Sequence, residues 1–517
     1  MNTFRHKLYW LIPLFLILVA LMILYCINLQ RFTSSPQDHW SREYKLRTID
    51  SYNTPQVIHE KDHTELYFVT DGKLIKQVLD SNYNIVSEET VDAEISTVKD
   101  FYIYDDQLVL FKDDSLIDGK TKEKLADATL FQRGINENIY YAKNQDIYTL
   151  NVMTKEKKKL LEVSHPVENI RPTDDLLLIY SSNLNIGTFS IYQLKDNNQY
   201  ELILQDEINV GASNKLNQME LTEDGNVVHL AVTAESQLST NKMYYFYYDS
   251  FDIHHPTIEL TRIQPTDPVT NQPLENLSQI QLRTVDDSLE VLFRSVGFTF
   301  KDTNDNMAMN IYSMSLNDGK AQVRKLSDTY SLSQEPMFLT KDAVLWKEST
   351  QQQYNLMLAS SNENIIEKTK KITGNELLIA FGITISNIAT SAFVAFIISF
   401  WLIIPIVYLF VVHLIYRFKD RRRDLNSNNL VFYVGVLTYL VAVLLSRNLL
   451  FPENSYVTAP AYISFSGNSF VYILLFAIIA LVSVQLIKRE WGTIGKYMYF
   501  IGIQYLCYLI FLGPFYL

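Results

Sequence analysis

The chain has 517 residues, which is too long for one ordinary domain, and its formal net charge is −12 at pH 7. Residues 1–31 carry net +3 and residues 373–517 net +4, so residues 32–372 between them carry −19. So acidic a segment repels nucleic acid and anionic surfaces, which excludes nucleic acid as a partner. The two cysteines, Cys26 and Cys507, lie in apolar stretches, so no disulfide framework holds the acidic segment.

The first predicted element is a membrane-spanning helix. Residues 8–29 contain no charged side chain and are long enough to cross a bilayer. A signal peptide would have a shorter apolar core and a cleavage site made of small residues. We therefore interpret residues 1–31 as an uncleaved signal anchor.

Residues 32–372 are predicted to form an all-β domain, because short runs rich in Tyr, Ile, Leu, Val and Phe alternate with Asp, Asn and Gly. One phrase, an acidic or amide turn followed by an apolar run, occurs seven times. Its copies begin near Asp62, Asp105, Asn136, Asp174, Asp224, Asp286 and Asp342. Seven copies predict a seven-bladed β-propeller. Residues 42–49 would supply the outer strand that closes the ring, while six or eight blades or two stacked β-sandwiches are the alternatives.

Residues 59–63 read HEKDH, a literal match to the HExxH pattern of zinc proteases. That pattern works on an α-helix, where both histidines reach one zinc ion and the glutamate activates its water. Here Asp62 occupies the turn of the first copy, and the next residues alternate like a strand. His59 and His63 are therefore expected on either side of an exposed hairpin turn. We predict no metal, cofactor or catalytic residue at this motif.

Three other polar patterns in the acidic segment predict exposed loops. Residues 302–307 (DTNDNM) begin like a calcium loop but lack the glycine of its sharp turn and its bidentate glutamate. His254 and His255 precede a proline, and residues 155–159 (KEKKK) form a basic run between strands. The alternatives are a weak calcium site, a metal-binding histidine pair and a partner-docking site, respectively.

Residues 373–517 form the second apolar part. From Leu377 to Tyr416 there are 40 residues without Asp, Glu, Lys or Arg, which as one helix would be about 60 Å long, roughly twice the hydrocarbon core. Because no turn signal divides this stretch, we expect a surface helix at 374–389 and then one span at 390–416. Three more spans are predicted at about 429–450, 464–487 and 497–516.

The basic residues predict the orientation of these spans. They form three clusters, at residues 5–7, 417–423 and 488–496. All three fall on one side of the membrane if the chain crosses it five times, with its N-terminus in the cytoplasm and its C-terminus outside. We therefore expect a multi-pass protein of the plasma membrane with residues 32–372 outside the cytoplasm.

Polar side chains inside the spans are candidate site residues, because hydrocarbon makes them costly. Arg447 lies near the outer end of the third span, where it either extends to the lipid headgroups or lines a polar cavity. Gln485 and Gln504 lie in the fourth and fifth spans and are expected to hydrogen-bond between helices. These three residues form the predicted intramembrane polar site.

The sequence therefore predicts an all-β extracytoplasmic domain, a seven-bladed β-propeller, combined with an α-helical bundle of five transmembrane spans. Blade loops converge on two open faces, which favours a binding platform for a protein or ligand. We expect a non-enzymatic accessory or sensor subunit of a membrane complex. Its expected partners are the lipid bilayer and another membrane or surface protein.

The alternative function is the membrane permease subunit of an ATP-driven exporter. One span, a large outer domain and then a cluster of spans resembles the layout of several such permeases, although five spans depart from the usual even number. A separate ATPase would then be a partner. It would dock on the cytoplasmic basic residues, namely Arg421, Arg422, Arg423, Lys488 and Arg489.

Overall fold

A computed structural model describes the chain in two compact units, Ser35–Lys371 and Met1–Ser34 with Ile372–Leu517. The described residues are 2–49, 53–60, 63–95, 97–183, 186–195, 199–208, 210, 213–238, 242–285, 288–301, 307–317, 320–329, 332–350, 353–418, 428–451, 459–487 and 491–515.

The first unit is a seven-bladed β-propeller, in which every blade of the described chain is a four-stranded antiparallel sheet. Blade 1 contains β2 (Gln56–His59), β3 (Thr64–Thr70), β4 (Lys73–Leu79) and β5 (Ile85–Val91). Blade 2 contains β6 (Asp100–Tyr104), β7 (Gln107–Lys112), β8 (Ser115–Asp118) and β9 (Lys124–Asp127). Blade 3 contains β10 (Leu130–Gln132), β11 (Asn138–Lys143), β12 (Asp146–Asn151) and β13 (Lys157–Glu162).

The remaining blades follow the same order. Blade 4 contains β14 (Val167–Pro172), β15 (Leu176–Asn183), β16 (Ile186–Leu194) and β17 (Tyr200–Glu207). Blade 5 contains β18 (Asn214–Asp224), β19 (Val227–Ser236), β20 (Tyr244–Asp252) and β21 (Thr261–Ile263). Blade 6 contains β22 (Glu275–Val285), β23 (Ser288–Phe298), β24 (Met307–Asn317) and β25 (Lys320–Lys325). Blade 7 contains β26 (Leu332–Phe338), β27 (Ala343–Ser349), β28 (Tyr354–Ser360) and β1 (Tyr44–Ile49).

The predicted blade number is confirmed, and each copy of the repeated phrase leads into the second strand of one blade. Left-handed backbone explains the turn residue of two copies, Asp105 and Asn136. Asp105 and Asp106 connect β6 to β7 with φ angles of 45° and 57°, and Asp71 precedes Gly72 in the β3–β4 turn with φ angles of 51° and 66°. Two left-handed residues in a row form the hairpin turn that matches strand twist, and Asp, Asn and Gly adopt it at least cost.

Alternating side chains of each blade fill the gaps to its two neighbours. In β3, Leu66 and Phe68 pack towards blade 7, whereas Tyr67 and Val69 pack towards blade 2. Such alternation follows from the two-residue period of a strand. Over the described chain there are seven of these cores, one for each pair of adjacent blades, so the ring is closed.

The two ends of the propeller meet at blade 7. Strand β1 pairs antiparallel with β28, which confirms the closing strand predicted at 42–49. The amide of Ser41 donates to the carbonyl of Ser360 at 2.9 Å, and the amide of Ser360 donates to the Ser41 hydroxyl at 2.9 Å. Glu43 adds a nearly buried ion pair with Lys301 at 3.2 Å. A short helix, α2 (Glu363–Thr369), follows β28 and packs Ile365 into the core between blades 7 and 1.

The second unit is helical. Its helices are α1 (Asn2–Thr33), α3 (Gly374–Ile398), α4 (Ile403–Phe418), α5 (Asn429–Leu445), α6 (Arg447–Leu450), α7 (Ala461–Ser464), α8 (Asn468–Leu486) and α9 (Thr493–Cys507). Helix α9 continues in irregular helical turns to Phe515. Five helical segments in the described chain are long and apolar enough to cross a membrane, and α5 is a shorter apolar helix.

The predicted boundary between a surface helix and a span at residue 389 is wrong, because α3 continues to Ile398. Its polar side chains are compatible with a helix: the hydroxyls of Thr384 and Ser391 donate to backbone carbonyls four residues earlier. The helix instead tightens at Ser399–Leu402. Pro405 follows and has no N–H to donate to the carbonyl four residues before it, which explains a break at this place.

Helices α3 and α4 follow one path along α9. Three contacts give the register: a Cβ on Gly513 would lie 2.7 Å from the Ser391 Cβ, the Ser399 and Tyr505 hydroxyls are 2.9 Å apart, and the Tyr408 and Tyr497 rings are 5.7 Å apart. As the residue number rises along α3 and α4, the number of the contacting residue in the last helical segment falls by about the same amount. The two segments are therefore antiparallel, and the break at Ser399–Leu402 does not turn the chain back.

Candidate functional site

The central channel of the propeller is a cavity with a volume of about 1020 Å³. Its wall is built from the innermost strand of each blade. The channel-facing edge of such a strand has no neighbouring strand, so its backbone N–H and C=O groups need other partners. Side chains from adjacent blades supply them.

Glutamine side chains bind several of these backbone edges. Gln56 of blade 1 accepts from the amide of Ile103 in blade 2 at 2.9 Å and donates to the same residue's carbonyl at 2.7 Å. Gln218 of blade 5 makes the same pair of bonds with Ile280 of blade 6, at 3.0 and 2.8 Å. A glutamine has one carbonyl and one NH₂ group on one amide, so it pairs with a strand edge as another backbone would.

Blade 6 contacts blade 7 in a similar way. The side-chain carbonyl oxygen of Gln279 accepts from the backbone amide of Glu335 at 2.6 Å, and that of Gln281 accepts from the backbone amide of Phe338 at 3.2 Å. Gln279 and Glu335 have φ angles of 54° and 51°, and the register of both inner strands shifts nearby. These bulges turn backbone amides towards the channel.

Two arginines connect the other blades. Arg133 of blade 3 binds the Asp100 carboxylate of blade 2 at 2.6 Å and the carbonyls of Thr54 and Pro55 in blade 1 at 2.5 and 2.7 Å. The planar guanidinium has five donors, so it can serve three partners at once.

Arg171 of blade 4 binds the Glu220 carboxylate of blade 5 at 2.8 Å and donates to the side-chain carbonyl (Oε1) of Gln132 in blade 3. Its position between two blades repeats the arrangement of the first arginine. Both guanidinium charges are thus neutralised by a carboxylate of a neighbouring blade.

Glu335 connects blade 7 to blade 1. Its carboxylate accepts from the Thr54 hydroxyl of blade 1 at 2.9 Å and forms an ion pair with Lys347 at 2.6 Å. Burial lowers the pKa of Lys347, although Glu335 raises it in part. Side-chain bonds therefore connect all seven blades around the channel. We call this set the inner hydrogen-bond ring: Thr54, Gln56, Asp100, Gln132, Arg133, Arg171, Gln218, Glu220, Gln279 and Glu335.

In the HEKDH motif His59 and Glu60 line this channel, and the flanking strands β2 and β3 pair as a hairpin, as predicted. His59 is the last residue of β2 and pairs with Thr64, and the Glu60 amide donates to the His63 carbonyl at 3.0 Å. Lys61, like Asp62, lies outside the described residues. His59 lines the channel cavity, and its partial burial lowers the pKa of the imidazole.

The other polar patterns take part in local structure. Asp252 accepts from the His254 amide at 2.8 Å in a turn after β20. In the basic run, Lys155 pairs with Asp118 at 2.9 Å and Lys159 with Asp146 at 2.6 Å. The loop predicted at residues 302–306, with its calcium alternative, lies outside the described part of the chain.

The predicted intramembrane residues do not form one site. Gln504 is fully buried and donates to the Ile473 carbonyl of α8 at 3.3 Å, as expected of an interhelical hydrogen bond. Gln485 is exposed on α8, and Arg447 lies over the ring of Phe470 at 5.1 Å. The proposed ATPase-docking residues Arg421, Arg422, Arg423, Lys488 and Arg489 lie outside the described residues.

The sequence matches no protein-family model. A search of curated proteins finds no match either. Among solved structures, the chain is similar to the WD40 domain of Toxoplasma gondii coronin, with 10% identity over 65% of this chain and 90% of that one and a TM-score of 0.35. It is also similar to Kluyveromyces lactis Hsv2, with 12% identity, 53% and 86% coverage and a TM-score of 0.31. Drosophila Plexin A in complex with Semaphorin 1b gives 7% identity, 62% and 87% coverage and a TM-score of 0.33.

The sheets and helices of the chain itself define the class of the protein. Seven four-stranded sheets with seven interblade cores define a β-propeller. In the same chain, five helical segments of the described residues are long and apolar enough to cross a membrane. The protein therefore combines a seven-bladed propeller with an apolar helical unit.

Proposed function

We propose that this is a non-enzymatic integral membrane protein whose propeller binds a protein or ligand outside the cytoplasm, as an accessory or sensor subunit of a membrane complex. The inner hydrogen-bond ring is the observation that carries this proposal. Its two arginines pair with carboxylates across blades, and Glu335 pairs with Lys347 within blade 7, so these charges hold the ring together instead of being poised for proton transfer or nucleophilic attack. The open channel mouth then acts as a rigid recognition surface.

The expected membrane topology has support within the helical unit. Tyr9 lies beside Trp491, with ring centroids 6.3 Å apart, and Asn428 contacts both Tyr416 and Thr493 at 2.9 and 3.3 Å. The helix ends next to the three basic clusters thus lie at one end of the unit. Because α3 and α4 follow a single path, they count as one crossing, and the shorter apolar helix α5 is counted as another, which with α1, α8 and α9 makes five. Five crossings then put the basic clusters in the cytoplasm and the propeller outside.

Cysteine labelling in intact cells tests this topology. Cys26 and Cys507 are first replaced by alanine, and a single cysteine is then introduced at Ser361 or at Arg417. A membrane-impermeant maleimide should label Ser361→Cys in intact cells and Arg417→Cys only after permeabilisation. The reverse pattern, or equal labelling of both, would overturn the proposed orientation.

Co-purification tests the binding function. The tagged full-length protein is purified in mild detergent, and proteins retained in stoichiometric amounts are identified by mass spectrometry. His59→Trp places a large ring at the channel mouth, whereas His63→Trp makes the same change outside the cavity on the same hairpin. The partner should be lost with the first variant and kept with the second.

Each other outcome has a defined meaning. A partner retained equally by both variants would refute binding at the channel mouth. A co-purifying ATPase would instead favour the exporter permease. Hydrolytic activity that is lost on neutralising Glu60, an exposed carboxylate of the channel lining, would refute the non-enzymatic assignment.

A further inference from the structure

A second polar cavity lies in the helical unit, where the chain leaves α5 and returns as α8. Its volume is about 430 Å³. The side chains that matter for binding are Arg447, Asn448, Phe465, Ser466, Ser469 and Phe470. None of the described lining residues is acidic, and Arg447 is the one charged residue among them.

Hydrogen bonds fix the part of the lining between Ser464 and Phe470. The Asn468 side chain donates to the Ile463 carbonyl at 2.5 Å, and the Ser464 hydroxyl donates to the Pro460 carbonyl at 3.3 Å. The Arg447 guanidinium lies 5.1 Å from the centroid of the Phe470 ring. Arg447 is itself exposed, so its guanidinium is open to a ligand from outside, and its contact with Phe470 places it at this part of the lining.

We propose that this pocket binds the phosphate group of a membrane phospholipid. The guanidinium presents a planar fork of donors that matches two phosphate oxygens. The hydroxyls of Ser466 and Ser469 and the amide of Asn448 supply further donors around it. This site is separate from the propeller and does not depend on the proposed partner of the channel.

Neighbouring apolar side chains favour a lipid over free phosphate. Phe465 and Phe470 remain 40% and 54% exposed beside the arginine, and Leu445 and Leu449 on the same segment are 78% and 52% exposed. Inorganic phosphate would leave these surfaces uncovered. The glycerol and acyl chains of a phospholipid would cover them while its phosphate reaches the guanidinium.

Native mass spectrometry of the delipidated full-length protein in detergent tests the proposal. Phosphatidylglycerol is titrated against phosphatidylcholine with the same acyl chains, and inorganic phosphate is the competitor. Phosphatidylglycerol should bind more tightly, because the choline cation is repelled by the guanidinium. Arg447→Gln should weaken its binding about tenfold or more, since a charge-assisted hydrogen bond is lost. Arg447→Lys should lie between the two.

Arg417→Gln is the matched control, because it removes one arginine from an exposed position outside the pocket. Its lipid affinity should equal that of the unchanged protein. Equal affinity in Arg447→Gln, or an equal loss in both variants, would overturn the site. Displacement by millimolar inorganic phosphate would show that the pocket takes a free anion and overturn the lipid assignment. If Arg447→Gln does not fold, the Ser466→Ala/Ser469→Ala double variant decides: unchanged affinity refutes the proposal.

Discussion

Replacing Gln56 by methionine should measure what the inner hydrogen-bond ring contributes to stability. The substitution keeps the length of the side chain but removes both bonds to Ile103, at 2.9 and 2.7 Å. An orphaned buried polar group costs about 1–3 kcal/mol, so two would cost about 2–6 kcal/mol. Because the channel is large enough to hold water, which can hydrate the freed groups, we expect the lower end, about 2–3 kcal/mol.

Urea denaturation of the full-length protein in detergent gives the free energy of unfolding, and hydrogen exchange gives a local readout at the Ile103 amide. Gln205→Met is the matched control, because Gln205 is exposed on the outer strand β17. That variant should stay within about 0.5 kcal/mol of the unchanged protein. If Gln56→Met were equally stable and the Ile103 amide equally protected, the ring would not stabilise the propeller as argued.

Three further changes test other parts of the fold. Glu43→Gln leaves the nearly buried Lys301 without its carboxylate and should destabilise the propeller by about 3 kcal/mol in urea denaturation; an effect below about 1 kcal/mol would contradict a closing ion pair. Burial raises the pKa of Asp118, but hydrogen bonds from backbone amides and a lysine lower it overall, below 3.8. The contribution of the Asp118 carboxylate to the free energy of unfolding is therefore present above about pH 4 and is lost as the pH falls through the folded-state pKa. The destabilisation caused by D118N should accordingly shrink in acid, and a destabilisation that does not change with pH would refute this. Gly513→Ala should lower the melting temperature in detergent, because its Cβ would lie 2.7 Å from that of Ser391, and Ser391→Gly should restore it; no rescue would argue against this helix contact.

Much of the propeller could be predicted from the sequence, because its turns have a strict chemical requirement. Two consecutive left-handed residues select Asp, Asn or Gly, as at Asp105–Asp106 before a second strand and at Asp71–Gly72 and Asp113–Asp114 before third strands. The closing strand was also predictable, since an unpaired strand-like segment preceded the first blade. The end of α3 was not, because the polar side chains that suggested a surface helix bond to their own backbone.

The inner hydrogen-bond ring was not predicted, although the sequence contains a signal for it. Gln56, Gln132, Gln218 and Gln279 each stand in the innermost strand of a blade. A glutamine in a strand does not by itself predict a hydrogen-bond partner, because the partner depends on which backbone edge lies across the gap to the next blade. The partners of Arg133 likewise come from two blades distant in sequence. Only the closed ring brings these groups together.

The pairing of β1 with β28 also has a kinetic consequence. The strand that ends at Ile49 must wait for the one that begins at Tyr354, about 300 residues later. At a synthesis rate of about 5–20 residues per second, this delay is roughly 15–60 seconds. During that time both edges of the growing array lack a neighbour and are open to pairing with other chains. The rate at which the last blade is delivered therefore sets how long the nascent protein is prone to aggregation.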